Sequence, residues 1–301
     1  MSHHVTMSHH LITEPLDERA IPEDERHEQA ALVSLTPAES KRLIAKAAVR
    51  LPVVRRALRQ GRVILALGTT NAFIAEELLG HPIPKYNYAA GFVDGTLNNT
   101  DEPERILPYI WRFGHVVEVE TEEVLSRGPT ASILEEMDAD DVFFKGANAV
   151  DTGGNAGVFT GNDRGGTCGG HMGIVLARGV NLVIPVGLEK LVPSVIEASR
   201  VCGIGRFAHA TGQKVGLWPI VNGLVLTEIQ ALESLFDVRV THVGSGGIGG
   251  GEGSVVLAIG GDARAVRGAY ELVTRIKGEP PLTVERGARL GTLAERAQAR
   301  N

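Results

Sequence analysis

Residues 62–80 read RVILALGTTNAFIAEELLG and join an apolar run, a short polar turn and a second apolar stretch. The unbroken run at 63–67 is typical of a strand buried on both faces of a parallel sheet. A helix that begins directly after such a strand points free backbone N–H groups beyond the sheet, where anions bind well. We therefore predict a strand, a tight turn and a helix, with four ligand-binding residues in the turn: Gly68, Thr69, Thr70 and Asn71.

The alternation of strand and helix continues along the chain. Further apolar runs at 116–119, 141–145 and 180–186 predict strands, and helical patterns lie between them at 130–137 and 171–178. Such alternation is typical of an α/β fold with a mostly parallel sheet and helices on both faces, which binds ligands at the carboxyl ends of its strands. We expect residues 36–205 to form this ligand-binding core.

The core is predicted to begin with a helix. Thr36, Pro37 and Glu39 supply an N-cap, a first-turn proline and a capping-box glutamate. The basic residues that follow are interpreted as a solvated face, with phosphate binding as the alternative: Lys41, Arg42, Lys46 and Arg50.

The two ends of the chain have other patterns. Residues 206–301 predict the order β-α-β-β-α followed by a carboxyl-terminal arm, which is most of a ferredoxin-like α+β domain. Residues 1–35 contain two Ser-His-His copies and seven acids between Glu14 and Glu28, and we expect a disordered or extended arm there. Ferredoxin-like units often pair through exposed sheet faces or edges, so a homo-oligomer is expected.

Composition excludes several classes of protein. With 43% hydrophobic residues among 301, the chain can bury a large core, while a net charge of −6 and 5% aromatics argue against nucleic-acid binding. No apolar run approaches the roughly 20 residues that a membrane span needs. The polar amino terminus and the two cysteines, Cys168 and Cys202, favour a cytoplasmic protein without a disulfide framework or structural zinc site. We predict no metal and no cofactor.

Glycine is concentrated directly before the helix predicted at 171–178. Nine of the 37 glycines lie between Lys145 and His171. Glycine lets the backbone approach an anion closely and present N–H donors to it, although a flexible surface loop is the alternative. Lys145 ends a predicted strand, where an ion pair competes with anion binding as its role. The predicted ligand-binding residues of this segment are Lys145, Gly146, Asn148, Gly165, Gly166 and Thr167.

Five further side chains carry the chemistry that a catalytic site would need. His171 and Asp151 are candidates for acid–base catalysis, although His171 could equally cap or pack a helix. Cys168 lies near a predicted helix start, which would lower its thiol pKa, but small buried cysteines are commoner than nucleophilic ones. Glu189 and Lys190 follow the fourth strand, and we expect one of them, catalytic Glu189 or ligand-binding Lys190, to meet the ligand.

Two of these segments resemble a known superfamily. Residues 68–78 look like the first phosphate-binding turn and helix of ribose-5-phosphate isomerase. Residues 144–151, FKGANAVD, are similar to the Gly-Ala-Asp segment of the NagB/RpiA/CoA-transferase-like superfamily, known as ISOCOT. Its members include sugar-phosphate isomerases, coenzyme A transferases, initiation-factor 2B-like proteins and LUD-domain proteins. The resemblance implies a sheet of that type.

The departures from that pattern restrict the chemistry. The isomerases have Asp-Gly-Ala-Asp-Glu where this chain has Lys145, Asn148 and Ala149 in place of the three acids. Asp151 or Glu189 would have to replace the missing carboxylate base, so ribose-phosphate isomerisation is not expected. Glu252, in the glycine-rich stretch 244–253, could be a transferase nucleophile, but a glycine lid or a plain hairpin connection is favoured.

These patterns predict an enzyme that acts on a small anionic metabolite by proton or acyl transfer in a glycine-lined cleft. The substrate classes are a sugar phosphate, an organic acid, or an acyl-coenzyme A or nucleotide derivative, and the enzyme would be isomerase-like or transferase-like. The alternative is a non-catalytic metabolite-binding or regulatory protein on the same scaffold.

Overall fold

The computed structural model describes residues 28–98, 106–117 and 131–283. The α-helices in these ranges are α1 Pro37–Ala48, α2 Pro52–Gln60, α3 Thr69–Leu79, α4 Ala131–Glu136, α5 Gly166–Ala177, α6 Val195–Val201, α7 Glu228–Leu235 and α8 Ala263–Ile276. The strands are β1 Glu28–Leu35, β2 Arg62–Leu65, β3 Phe92–Val93, β4 Leu97–Asn98, β5 Tyr109–Arg112, β6 His115–Val117, β7 Val142–Phe144, β8 Ala149–Val150, β9 Ala156–Thr160, β10 Asn181–Pro185, β11 Gly216–Ile220, β12 Leu224–Leu226, β13 Val238–Gly246 and β14 Ser254–Asp262.

A six-stranded mixed sheet, in the order β12-β10-β7-β2-β5-β6, confirms the general α/β class. The first four strands are parallel, whereas β5 and β6 form an antiparallel hairpin beside β2. The expectation that the strand at 116–119 joins a parallel sheet is therefore wrong. Phe113 and Gly114 connect β5 to β6 with φ angles of 49° and 87°, and two consecutive positive φ angles form the tight turn that joins antiparallel neighbours.

Both faces of this sheet are covered, as the unbroken apolar runs predict. In β2, Val63 and Leu65 face a core built largely on α1, α3, α7 and α8, and Ile64 faces a second core beneath α4 and α5. All three side chains are fully buried. Alternate side chains of a strand point to opposite faces, so each face of β2 needs its own hydrophobic layer.

The amino-terminal segment is ordered earlier than the sequence predicts. Residues 28–35, expected in the arm, form β1, which pairs antiparallel with β14 in a three-stranded sheet, β1-β14-β13. Leu32 is 69% exposed, whereas Val33 is 6% exposed and Leu35 is fully buried. This alternation with a period of two is that of a strand with one buried face. The remainder of the predicted arm, residues 1–27, lies outside the described residues.

The strand expected to open the ferredoxin-like unit belongs elsewhere. β11, predicted at 215–221, pairs antiparallel with β9 rather than with β13 or β14. A further strand, β12, extends the main sheet through parallel pairing with β10. The β1-β14-β13 sheet packs into the same hydrophobic core as α1 and α3. Residues on either side of position 205 therefore share one core.

Within the described ranges, no helix has the length and apolar character that a membrane crossing requires.

Candidate functional site

The carboxyl ends of four adjacent parallel strands lie at one edge of the main sheet. Gly68 and Thr69 follow β2, Lys145 follows β7, Lys190 follows β10, and Glu228 follows β12. The strands are held in register there, since the backbone N–H of Lys145 donates to the carbonyl of Val183 at 3.0 Å. Residues that the sequence separates by more than a hundred positions are thus brought to one edge, where open α/β sheets bind ligands.

A cleft of about 910 Å³ opens at this edge. Its walls include the start of α1, strand β3, the turn after β10, the β13–β14 connection and residues 278–282. This volume is within the range of small-molecule sites. The predicted site residues in its lining are Thr69, Asn148, Glu189 and Lys190.

One wall of the cleft carries two lysines and a glutamate. Lys41 Nζ lies 3.1 Å from Glu189 Oε1 and also donates to the carbonyl of Pro37 at 3.1 Å. Lys190 Nζ donates to the carbonyl of Ala147 at 3.0 Å. All three charged side chains belong to the cleft lining, and together they offer an anion two cationic groups.

Lys41 is a site residue that the sequence analysis assigned to solvent. Neighbouring Arg42 is not solvated either, because its guanidinium bonds the carboxylates of Glu76, Glu77 and Glu279. The periodic pattern of α1 shows which face is basic, but it does not show that acidic side chains from other elements pack against that face. The run of basic residues in α1 was therefore the one sign in the sequence that Lys41 could belong to a binding site.

Glu189 is held as a carboxylate by its neighbours. Burial by itself would raise the pKa of Glu189, but the charges of Lys41 and Lys190 outweigh it, so the pKa lies below its usual value. Its Oε2 is buried and has no hydrogen-bond partner in the described part of the chain. An ionised carboxylate has several acceptor sites on its two oxygens, so Glu189 retains acceptor capacity beyond its contact with Lys41.

Lys190 and Glu228 both have pKa values shifted towards neutrality. Burial lowers the pKa of Lys190 to about 8, although the charge of Glu189 opposes this shift. Burial, and then the charge of Glu189, raise the pKa of Glu228 to about 7. Glu228 accepts hydrogen bonds from the backbone N–H of Leu188 at 2.9 and 3.2 Å. Groups that titrate near neutral pH are suited to general acid–base catalysis.

Glu228, which is fully buried and lies outside the cleft lining, was not predicted at a strand end. In the sequence it stands in a capping-box pattern that begins at Thr227, and that pattern does form the start of α7. Its position directly after β12 was hidden because the short strand Leu224–Leu226 was not predicted. Recognition of that strand would have placed Glu228 with the other strand-end residues.

Lys145 and two residues of α5, Cys168 and His171, form a separate group with Cys168 and Lys145 buried and His171 partly buried. None of the three is in the cleft lining, and Lys145 is only 8% exposed. Burial lowers the pKa of Lys145 and of His171 and raises the pKa of the Cys168 thiol, despite the nearby charge of Lys145. The expectation of a lowered thiol pKa at the helix start is therefore wrong. The His171 ring packs against Phe143 with centroids 5.5 Å apart.

The polar residues of the glycine-rich segment stabilise its backbone. The Asp151 carboxylate accepts hydrogen bonds from the backbone N–H groups of Gly153, Asn155 and Val195 at 2.9–3.0 Å. Asn148 donates to the carbonyl of Gly91 at 3.2 Å and accepts from Phe159 at 3.0 Å. This geometry gives Asp151 a structural role; a catalytic role stays a prediction.

The segment is not a single flexible loop. Residues 149–160 contain the hairpin β8–β9, and α5 begins at Gly166, five residues before the predicted start. Thr167 therefore lies inside the helix rather than in a loop. Gly165 and Gly166 have φ angles of 80° and 54°, a conformation that favours glycine. Their direct role in ligand binding stays a prediction, as does that of Gly146.

The first turn of α3, directly after β2, contains two buried polar atoms that no other described residue bonds. The Asn71 side chain donates to the carbonyl of Ala66 at 2.7 Å. Its Oδ1 and the Oγ1 of Thr70 have no hydrogen-bond partner among the described residues. Thr69, at the start of α3, reaches the cleft lining, while the backbone N–H of Gly68 is bonded to the carbonyl of Tyr88 at 2.8 Å.

The glycine-rich stretch 244–253 connects β13 to β14 and also reaches the cleft. Gly250 and Glu252 are in the lining, and the Glu252 carboxylate accepts a hydrogen bond from the backbone N–H of Gly250 at 2.9 Å. A Cβ at Gly253 would lie 3.6 Å from Cβ of Glu189, so the connection packs on the charged wall. This glycine-rich stretch is therefore a hairpin connection that also forms part of the cleft wall.

Comparisons with protein-family models, curated proteins and solved structures find no match to this chain. Among the described residues, no group of three or more His, Cys, Asp or Glu side chains is arranged to hold a metal ion.

Proposed function

We propose that this chain is an enzyme that binds a small anionic metabolite in the cleft and transfers a proton or an acyl group on it. The ligand classes are a sugar phosphate, an organic acid, or an acyl-coenzyme A or nucleotide derivative. The observation that carries the proposal is the single cleft wall at the parallel strand ends, where Lys41, Glu189 and Lys190 stand together.

The charges of this wall suit both binding and proton transfer. The ammonium groups of Lys41 and Lys190 attract an anion, and charge-assisted hydrogen bonds to such groups are the stronger kind. Glu189 is an ionised carboxylate in the cleft lining, and the neighbouring Lys190 has a pKa of about 8. A proton can therefore be taken up and returned near neutral pH.

The finer fold assignment is part of the same proposal. The parallel set β12-β10-β7-β2, with helices on both faces, supports a NagB/RpiA/CoA-transferase-like sheet together with the two similar segments. The hairpin β13–β14 with α7 and α8 supports a ferredoxin-like unit. Self-association is supported by exposed Leu32 and Val243 on the outer face of that unit's sheet. A cytoplasmic location is supported by two free cysteines.

Calorimetry with a panel of sugar phosphates, organic acids, acyl-coenzyme A and nucleotides tests the binding. We expect one class to bind, and Lys41→Met to weaken its Kd at least about tenfold, or about 1.4 kcal/mol. Lys46→Met is the matched control, because Lys46 lies on the same helix but pairs with Glu77. Equal affinity of Lys41→Met and the parent protein would contradict the proposal.

The competing function is metabolite binding without catalysis. It is favoured by Lys145, Asn148 and Ala149, which occupy the positions of the isomerase carboxylates. Long incubation of the bound ligand with the protein, followed by mass spectrometry, separates the two functions. A ligand that binds and is recovered unchanged identifies a binding or regulatory protein.

A further inference from the structure

Lys190 differs from Lys41 and Lys46 in what its ammonium group contacts. Its Nζ donates to a neutral acceptor, the carbonyl of Ala147. Lys41 instead lies against the carboxylate of Glu189 at 3.1 Å, and Lys46 against Glu77 at 3.1 Å. Lys190 is half-buried, yet it belongs to the cleft lining and can be reached by a ligand.

The surroundings of Lys190 favour the neutral amine. Burial is the largest effect, and the positive charges of Lys41 and Lys145 act in the same direction. The carboxylates of Glu189 and Glu228 oppose them, and the resulting pKa is about 8. An uncharged lysine amine in a partly desolvated pocket is the form that attacks carbonyl compounds.

We infer that Lys190 is a nucleophile that forms an imine with the carbonyl carbon of a small oxo acid, whose carboxylate pairs with Lys41. Lys41 and Lys190 stand on one wall of the cleft, but Lys41 is ion-paired, whereas the Lys190 amine contacts a neutral acceptor. This pair of groups matches a ligand that carries both a carboxylate and a ketone. This inference rests on the proposed function, because it needs an anion in the same cleft.

The step balances without any oxidant or reductant. The lone pair of Nζ forms the C–N bond, and the carbonyl π electrons move to oxygen, which takes a proton to give a carbinolamine. The nitrogen loses a proton to a carboxylate base, for which Glu189 is available in the same cleft lining. The hydroxyl then leaves as water after it receives a proton, and the nitrogen lone pair completes the C=N bond.

The cleft distinguishes Lys190 from Lys145. Burial lowers the pKa values of both lysines. Lys145, however, is 8% exposed, is absent from the cleft lining and donates to the carbonyl of Gly146 at 3.3 Å. An oxo acid in the cleft can contact Lys190 but not Lys145. We therefore expect Lys190 to be modified and Lys145 to remain unmodified, although burial lowers the pKa of both.

Borohydride trapping with pyruvate or acetoacetate as the probe tests this inference. The full chain is incubated with each probe, reduced with sodium borohydride, digested and mapped by mass spectrometry. For pyruvate, we expect one adduct at Lys190 whose added mass equals pyruvic acid less one oxygen atom. Lys190→Arg should abolish the adduct, and Lys46→Arg should leave it unchanged. Thermal unfolding checks that each variant folds. If a variant does not fold, the adduct sites mapped by mass spectrometry in the parent protein decide the outcome.

The outcomes separate this inference from the proposed function. Calorimetric binding of a probe with no adduct at Lys190 overturns the imine while anion binding stands. Adducts spread evenly over surface lysines, or found at Lys145, overturn it as well. If other anions of the panel bind but neither oxo acid does, the imine fails and the proposed function survives. If no anion binds, both fail.

Discussion

The carboxylate of Glu189 is folded over Gly187, so that a Cβ atom at residue 187 would lie 1.8 Å from Glu189 Oε2. The backbone of Gly187, with φ −78° and ψ 151°, is one that any residue adopts. A side chain at residue 187 would therefore have to displace the Glu189 carboxylate. Because Glu189 also holds Lys41 at 3.1 Å, this close approach fixes the charged wall of the cleft.

Gly187→Ala should lower the free energy of unfolding by about 1–3 kcal/mol, because the new methyl group overpacks the site. In a Glu189→Ala background, which removes the colliding carboxylate, the same change should cost less than half as much. Urea unfolding of the four proteins measures this coupling. Gly146→Ala is the control, since a Cβ there meets nothing within 4 Å. Additive costs would show that the two residues are not in contact.

Two adjacent glycines of α5 should respond to alanine with opposite signs. A Cβ at Gly169 would lie 1.7 Å from the backbone oxygen of Arg164, whereas a Cβ at Gly170 meets nothing within 4 Å. Gly169→Ala should therefore destabilise the protein by more than about 2 kcal/mol. Gly170→Ala should stabilise it by about 0.5–1 kcal/mol, because alanine is the better helix former. Thermal unfolding measures both effects. Shifts of Tm in the same direction would contradict the close packing of Gly169 against the backbone of Arg164.

Asp151→Ala should destabilise the fold by roughly 2–4 kcal/mol, because it removes the acceptor of buried backbone N–H groups. Burial alone would raise the pKa of Asp151, but hydrogen bonds from Val195, Asn155 and Gly153 outweigh it and lower the pKa below 3.8. The stabilisation is thus present above pH 3.8 and is lost as the pH falls through the lower, folded-state pKa. Urea unfolding at several pH values measures this effect. In Asp151→Ala the free energy of unfolding should no longer fall in this way at low pH, whereas the exposed variant Asp163→Ala should behave like the parent protein.

Glu228→Gln should flatten the pH dependence of stability below pH 8. Burial, and then the charge of Glu189, raise the pKa of Glu228 from 4.5 to about 7. The folded state therefore binds this proton more tightly, and stability falls as the pH rises from 4.5 through 7. The variant should avoid a loss on the order of 2 kcal/mol over that interval.

Urea unfolding between about pH 5 and pH 8 checks this prediction. Lys190 contributes in the opposite sense only above pH 8, because burial lowers its pKa from 10.5 to about 8 and stability rises between those values. Glu271→Gln, at an exposed position of α8, is the control. A pH profile of Glu228→Gln that parallels the parent protein would show that Glu228 is ionised throughout.

The sequence predicted two of the three charged residues in the cleft wall. Glu189 and Lys190 were found because they directly follow an apolar run, and Thr69 was found for the same reason. Lys41 was missed, since it lies on a helix whose basic face has no local sign of its partners. Glu228, which is buried at the same sheet edge, was missed because it follows a three-residue strand. His171, Cys168 and Lys145 were selected beside glycines, but they lie in a separate group.

Local patterns determined the elements of this protein. The capping boxes at Thr36 and Thr227 start α1 and α7, and apolar runs form β2, β7 and β10, because hydrogen bonding and burial within a few residues suffice to specify them.

Only the tertiary structure decided which elements pair. β1 joins β14 across more than two hundred residues, β11 joins β9 instead of β13, and α1 brings Lys41 to Glu189. Strand pairing and ion pairing depend on which apolar faces exclude water together, and that condition is a property of the whole core rather than of any one segment.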